Sequence, residues 1–92
     1  MTWKNISLSD VVKSMNDCDS VGLTTFRKKY GNFHAASDLH MYYQGRGPYE
    51  ARPLIAGAYY HSGLGLSLTS NDFKNNDGHD FLENLGFIRA SI

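Results

Sequence analysis

The spacing of hydrophobic residues predicts two helices in the first third of the chain. Residues 7–16 place their apolar side chains on one face at helical spacing. Ser7 and Asp10 have the Ser-x-x-acid spacing of a capping box, so the first helix is predicted to begin there. A second apolar stripe predicts another helix over residues 21–30. The polar residues 17–20 between them are predicted to form a turn.

The hydrophobic pattern then changes to alternation, which predicts a β-hairpin. In residues 38–43 every second side chain is apolar, as on a half-buried strand. Residues 44–48 contain two glycines and a proline, which is typical of a turn. Residues 49–51 are predicted to be a short return strand.

A third helix is predicted to open at Arg52 and Pro53, because proline is tolerated in a first helical turn, where its missing N–H would have no partner. Gly63 and Gly65 are predicted to end this helix. The small residues 56–58 predict the close approach of another backbone.

The end of the chain is predicted to contain a loop, a short helix and a third strand. Residues 66–73 form the loop, and the turn at 75–78 leads to a helix that Gly86 caps. Residues 87–88 are predicted to form the third strand at the end of the chain. The resulting order, α-α-β-β-α-α-β, predicts an α+β fold with helices packed on a short antiparallel sheet. We expect residues 1–92 to form a single domain.

Composition narrows the classes of protein that the chain represents. It has 92 residues, of which 41% are hydrophobic and 20% are charged, as in an ordinary globular domain. Nine Lys and Arg balance nine Asp and Glu, which counts against strong nonspecific binding to nucleic acid. No apolar run approaches the roughly 20 residues of a membrane span, and the start lacks a signal-peptide pattern. We therefore expect a cytoplasmic protein without membrane association.

The residue types that carry catalysis or bind metals are sparse. The four histidines have no i, i+4 zinc-site spacing, and the single cysteine, Cys18, lies between two aspartates that disfavour its thiolate. No nucleophile, base and stabiliser set is apparent. We therefore expect no catalytic residues, no metal site, no cofactor and no enzymatic activity.

Tyrosine and arginine are the residues that favour a binding function. Tyr43 and Tyr59 suit the core, whereas Tyr42 and Tyr60 are expected to point outward. Tyrosine combines an apolar body with a polar tip, which suits interfaces and base stacking. Arginines in the hairpin and at the start of the third helix add cationic forks for phosphate or carboxylate.

Six short segments between residues 21 and 88 carry a family resemblance. They are FRKKYG (26–31), YQGRGPY (43–49), RPLIAGAY (52–59), GLSL (65–68), SNDF (70–73) and LENLGF (82–87). In this order they resemble the small N-terminal domain of McrA-like HNH restriction endonucleases, which are modification-dependent, type IV-like bacterial defence enzymes. The 92 residues contain no HNH nuclease motif. The resemblance therefore implies a non-catalytic accessory or targeting module.

Two functional hypotheses follow. The first is a recognition module that contacts double-stranded DNA, weakly and with salt dependence, or contacts a DNA-processing defence complex. The ligand-binding residues predicted for it are Tyr42, Gln44, Arg46, Tyr49, Arg52 and Asn71. The second is a stand-alone regulator or inhibitor, encoded by a mobile element or phage, that binds a protein partner in nucleic-acid defence. Clustered tyrosines fit both, because Tyr and Arg are typical interface hot spots.

Overall fold

The computed structural model describes residues 3–31, 33–34, 39–63, 68, 72–73 and 77–91. After a 3₁₀ turn at Trp3–Asn5, the elements are α1 (Leu8–Val21), α2 (Leu23–Lys29), β1 (Leu39–Tyr43), β2 (Arg46–Tyr49), α3 (Ala51–Ser62), α4 (Asp77–Asn84) and β3 (Ile88–Ser91). This order is the predicted α-α-β-β-α-α-β, and the α+β class is confirmed. The three strands form one antiparallel sheet in the order β2-β1-β3.

The first helix begins as predicted but ends later. Ser7 caps it, with its hydroxyl accepting from the Asp10 N–H while the Asp10 carboxylate accepts from the Ser7 N–H. The predicted turn at residues 17–20 is wrong, because α1 continues to Val21. Cys18 is buried and extends the apolar face of the helix by one turn.

Three other predicted boundaries are corrected. Strand β2 begins at Arg46, inside the predicted turn, and ends at Tyr49. The predicted return strand at 49–51 is cut short because Glu50 is the N-cap of α3. Helix α4 begins at Asp77, also inside a predicted turn, and its first turn carries two acidic residues that suit the positive end of a helix.

The end of α4 follows the predicted glycine cap in detail. Phe87 donates its N–H to the Leu82 carbonyl, and Gly86, at a φ of +108°, donates its N–H to the Glu83 carbonyl. These two bonds are those of a Schellman motif, which needs a residue that tolerates positive φ. Leu82 and Phe87 are both buried, so the cap also fixes the entry of β3.

Helices α1 and α3 pack closely at Gly57, as the small residues at 56–58 predicted. A Cβ atom on Gly57 would lie 2.9 Å from the Phe26 ring and would also overlap the Ser14 hydroxyl. The Ser14 hydroxyl donates to the Leu54 carbonyl at 2.7 Å, which satisfies a fully buried polar side chain. The core therefore lies between α1, α3 and the inner face of the sheet.

A buried ion pair joins α2 to the start of α3. The Arg27 guanidinium donates from Nε and Nη2 to the two carboxylate oxygens of Glu50, at 2.6 and 2.8 Å. The Glu50 side chain is 2% exposed and that of Arg27 is 20% exposed. Two parallel bonds to a carboxylate in a low-dielectric setting fix both the distance and the orientation of their elements.

Replacement of Arg27 by methionine is expected to destabilise the protein by about 3 kcal/mol, because it removes the two hydrogen bonds that Arg27 donates to the buried Glu50 carboxylate. Urea denaturation measures the change. Lys28→Met is the matched control, since it removes the same charge from an exposed neighbour on α2 and is expected to cost under about 0.5 kcal/mol. Equal losses in the two variants would contradict this role for the ion pair.

Candidate functional site

The hairpin of β1 and β2 is fastened to α1 by one carboxylate. Arg46 Nη2 donates to Asp19 Oδ2 at 2.7 Å and to Asn16 Oδ1 at 2.9 Å. The Tyr49 hydroxyl also donates to Asp19, at 2.8 and 3.1 Å from the two oxygens. Strand β2 therefore meets the last two turns of α1 at Asp19, and this contact positions the tip of the hairpin.

Two of the predicted ligand-binding residues are thus engaged within the protein. Tyr49 is 1% exposed, so its ring belongs to the core and its hydroxyl anchors the hairpin. Burial, with the Asp19 carboxylate adding to it, raises the pKa of Tyr49 to about 12. The Arg46 side chain is 37% exposed although it pairs with Asp19. A partner would meet the outer part of this guanidinium.

The remaining predicted residues lie in different places. Gln44 is exposed at the tip of the hairpin, and Tyr42 lies on the outer face of β1, opposite Ile88. Arg52 is half-buried in the first turn of α3, with its guanidinium 5.7 Å from the centroid of the Phe73 ring. Asn71 lies outside the described residues. Tyr42, Gln44 and Arg46 thus all belong to the hairpin, but Arg46 reaches α1 while Tyr42 lies on the outer face. Arg52 instead packs beside an aromatic ring.

A second site, which the sequence did not predict, is a cleft of about 640 Å³ near the carboxyl ends of α1 and α3. Its lining residues are Asn16, Asp17, Ser20, Lys29, Tyr30, Tyr60 and His61. We call it the Asp17 cleft. Asp17 was assigned to a turn in the sequence, and the continuation of the apolar face of α1 at Cys18 was the signal that would have placed it on the helix.

Asp17 is the central polar group of this cleft. Its carboxylate accepts hydrogen bonds from the Tyr30 hydroxyl and from Lys29 Nζ, the latter at 2.9 Å, and lies 3.5 Å from His61 Nε2. Burial by itself raises the pKa of Asp17, but the bonds from Tyr30, Lys29 and His61 together outweigh it and hold the pKa below its usual value. Asp17 is therefore ionised at neutral pH.

Aromatic rings form the other wall of the Asp17 cleft. The Tyr30 and Tyr60 centroids are 5.2 Å apart, and the His61 ring lies 5.8 Å from that of Tyr60. Tyr60 is 59% exposed, as the sequence predicted. Lys29 Nζ lies 5.4 Å from the centroid of Tyr30, within the range of a cation–π contact. The cleft therefore already combines a carboxylate, aromatic faces and a cation.

The cysteine and the metal-ligating residue types show no comparable arrangement. Burial first, and then the charges of Asp19 and Asp17, raise the pKa of the Cys18 thiol to about 11, so it stays protonated at neutral pH. Within the described ranges, no group of three or more His, Cys, Asp or Glu side chains is placed to hold a metal ion. Among the helices described, none has the length and apolar character needed to cross a membrane.

The fold and the two surfaces define a small α+β module that presents an anchored hairpin and a polar cleft. The family model of the ScoMcrA-like N-terminal head domain matches residues 4–90, and the chain belongs to this family. The match confirms the resemblance to the N-terminal domain of McrA-like proteins. No curated protein and no solved structure matches the chain.

The replacement Tyr49→Phe is expected to cost about 1 kcal/mol at pH 7, because it removes the hydrogen bond to Asp19. The pKa of Tyr49 is raised to about 12 in the folded protein, whereas that of an unfolded tyrosine is about 10. The wild type's larger free energy of unfolding is therefore fully present below about pH 10 and is lost as the pH rises through about 12. Urea denaturation at pH 7, 9 and 11 measures the difference. Tyr60→Phe is the control, and a pH-independent Tyr49→Phe difference would contradict the account.

Proposed function

We propose that this head domain is a non-enzymatic recognition module that contacts duplex DNA through the outer surface of the β1–β2 hairpin. Membership in the ScoMcrA-like family supports a DNA-related role. The observation that carries the proposal is the exposed tip at Gln44 and Gly45, next to a partly exposed Arg46. Pairing of β1 with β3 ends at Tyr42, so the tip of the hairpin beyond it is two-stranded, and this tip is the part that would enter a major groove.

The anchoring of the hairpin favours recognition by a preformed surface. Asp19 holds both Arg46 and Tyr49, so the ribbon is fixed against α1 before any ligand arrives. A preorganised element loses less conformational entropy on binding than a free loop does. The outer face beside it carries Tyr42 and, opposite it, an Ile88 that is 65% exposed. These side chains provide apolar and aromatic contacts next to the charged tip.

The charge distribution predicts that DNA binding is weak and depends on salt. Most arginines of the described part of the chain pair with carboxylates, as Arg27 does with Glu50, Arg46 with Asp19 and Arg89 with Asp80. Phosphate contacts then require an exchange of partners. With about three phosphate contacts, the logarithm of the binding constant should fall with that of salt at a slope of about −2.7.

Fluorescence anisotropy with a labelled duplex, unmodified and cytosine-methylated, tests the proposal. We expect binding at low salt that weakens roughly forty-fold between 50 and 200 mM salt. Gln44→Glu is expected to weaken binding about five-fold, because it places a negative charge near phosphate at a cost of about 1 kcal/mol. This variant alters the tip without removing the Arg46 anchor. A lower dissociation constant for the methylated duplex than for the unmodified one would identify methylated DNA as the preferred ligand.

Ser9→Glu is the matched control for the added charge. Ser9 is exposed on α1 and lies about 10 Å along the helix axis from Asn16, which bonds to Arg46 of the hairpin. It is expected to bind with a wild-type dissociation constant at each salt concentration. Circular dichroism checks that both variants are folded. Absence of binding to either duplex at low salt, or wild-type affinity of Gln44→Glu, would contradict DNA contact by the hairpin.

A further inference from the structure

The carboxyl ends of two long helices meet at the Asp17 cleft. Ser14 of α1 bonds to Leu54 of α3, and Asp17, one turn further along α1, lies beside His61, two turns further along α3. Ser20 and His61 belong to the last turns of α1 and α3. The carboxyl end of a helix carries about half a negative charge and stabilises cations. Both helix ends therefore add to the negative charge of Asp17.

We propose that the Asp17 cleft binds the guanidinium group of an arginine side chain on a protein partner. This inference goes beyond the proposed function, because it concerns another surface and a protein ligand. The Asp17 carboxylate would pair with the guanidinium, and the exposed Tyr60 ring would stack on its plane. Tyr30 and His61 already approach Oδ2, so the guanidinium would bond to Oδ1 in place of Lys29. Arginine suits this site better than lysine, since its planar group also stacks on aromatic rings.

The cleft already binds a cation of the chain itself, the ammonium group of Lys29. Its ammonium group bonds to Asp17 at 2.9 Å and lies 5.4 Å from the centroid of the Tyr30 ring. The Lys29 side chain is 44% exposed, whereas that of Asp17 is 13% exposed. An exposed lysine pair contributes little free energy, so an incoming guanidinium is able to displace the ammonium from the more buried carboxylate.

The same features disfavour a phosphate or a nucleotide in the cleft. Asp17 already neutralises Lys29, and the ends of α1 and α3 repel an anion. Removal of Lys29 is therefore expected to change the affinity of the cleft for a cationic ligand and for an anionic ligand in opposite directions. Without this resident cation, the affinity for a guanidinium rises, whereas the affinity for a phosphate falls.

Titration with Nα-acetyl-arginine methylamide, followed by ¹H–¹⁵N correlation spectra, tests the proposal. We expect concentration-dependent shifts of the Ser20, Lys29 and His61 amides, and no shifts with the uncharged citrulline analogue. Lys29→Met is expected to tighten binding at least three-fold, and Tyr60→Ala to weaken it at least three-fold. Tyr60 is exposed, so its removal tests the stacking surface without disturbing the core.

Lys28→Met is the matched control, because it removes the same charge from the preceding residue of α2, which does not line the cleft. It is expected to leave the dissociation constant of the arginine probe within two-fold of the wild-type value. The proposal is overturned if the probe causes no shifts in Lys29→Met, or if Lys29→Met binds it no more tightly than Lys28→Met does. It is also overturned if dAMP shifts the same amides and loses affinity in Lys29→Met.

Discussion

Two aspartates near the carboxyl end of α1 set the constraint on which the arrangement of this domain depends. Asp17 and Asp19 lie in the last two turns of a helix of 14 residues. Negative side chains at this end oppose the helix dipole at a cost of about 0.3–1 kcal/mol each, and cations and hydroxyl donors from elsewhere offset this cost. Each carboxylate has such partners, and each set comes from a different element.

The partners of the two aspartates divide the surface into two functional regions. Asp19 accepts hydrogen bonds from Arg46 and Tyr49 of β2, and these bonds position the hairpin tip. Asp17 collects Lys29 and Tyr30 at the end of α2, beside His61 of α3. A single helical turn therefore positions both the surface proposed to contact DNA and the cleft proposed to bind arginine. Proper placement of α2 relative to α3 further relies on the buried pair of Arg27 and Glu50.

Local sequence signals were sufficient to predict those features of the fold that depend on residues close together in the chain. The capping box at Ser7, the glycine that ends α4 and the small residues facing α1 were all predicted, because each acts through backbone geometry or residue size. The ionic contacts were not predictable in this way. Apart from the apolar Cys18, residues 17–20 look like a turn in isolation, and the contacts of their carboxylates with distant Lys29 and Arg46 exist only in the folded chain.

In the candidate site, too, the features set by local sequence were predictable and those set by long-range contacts were not. The exposed positions of Gln44 at the hairpin tip and Tyr60 on α3 followed from the pattern of the chain. The burial of Tyr49 did not, because its hydroxyl finds Asp19 across 30 residues of sequence. Arg52 was predicted to bind the ligand from the start of the third helix, and its guanidinium lies near Phe73. The Asp17 cleft was missed entirely, since its residues come from three helices whose ends meet only in the folded chain.

The extent of α1 is the claim on which both surfaces depend, and backbone ¹³C chemical shifts measure it directly. Helical Cα shifts that continue from Leu8 through Val21 and break at Gly22 are the predicted result. They would place Asp17 and Asp19 on the last two turns of the helix, where their partners meet them. Shifts that fall to random-coil values from Asp17 onward would contradict the account, because the hairpin anchor and the cleft would then have no common support.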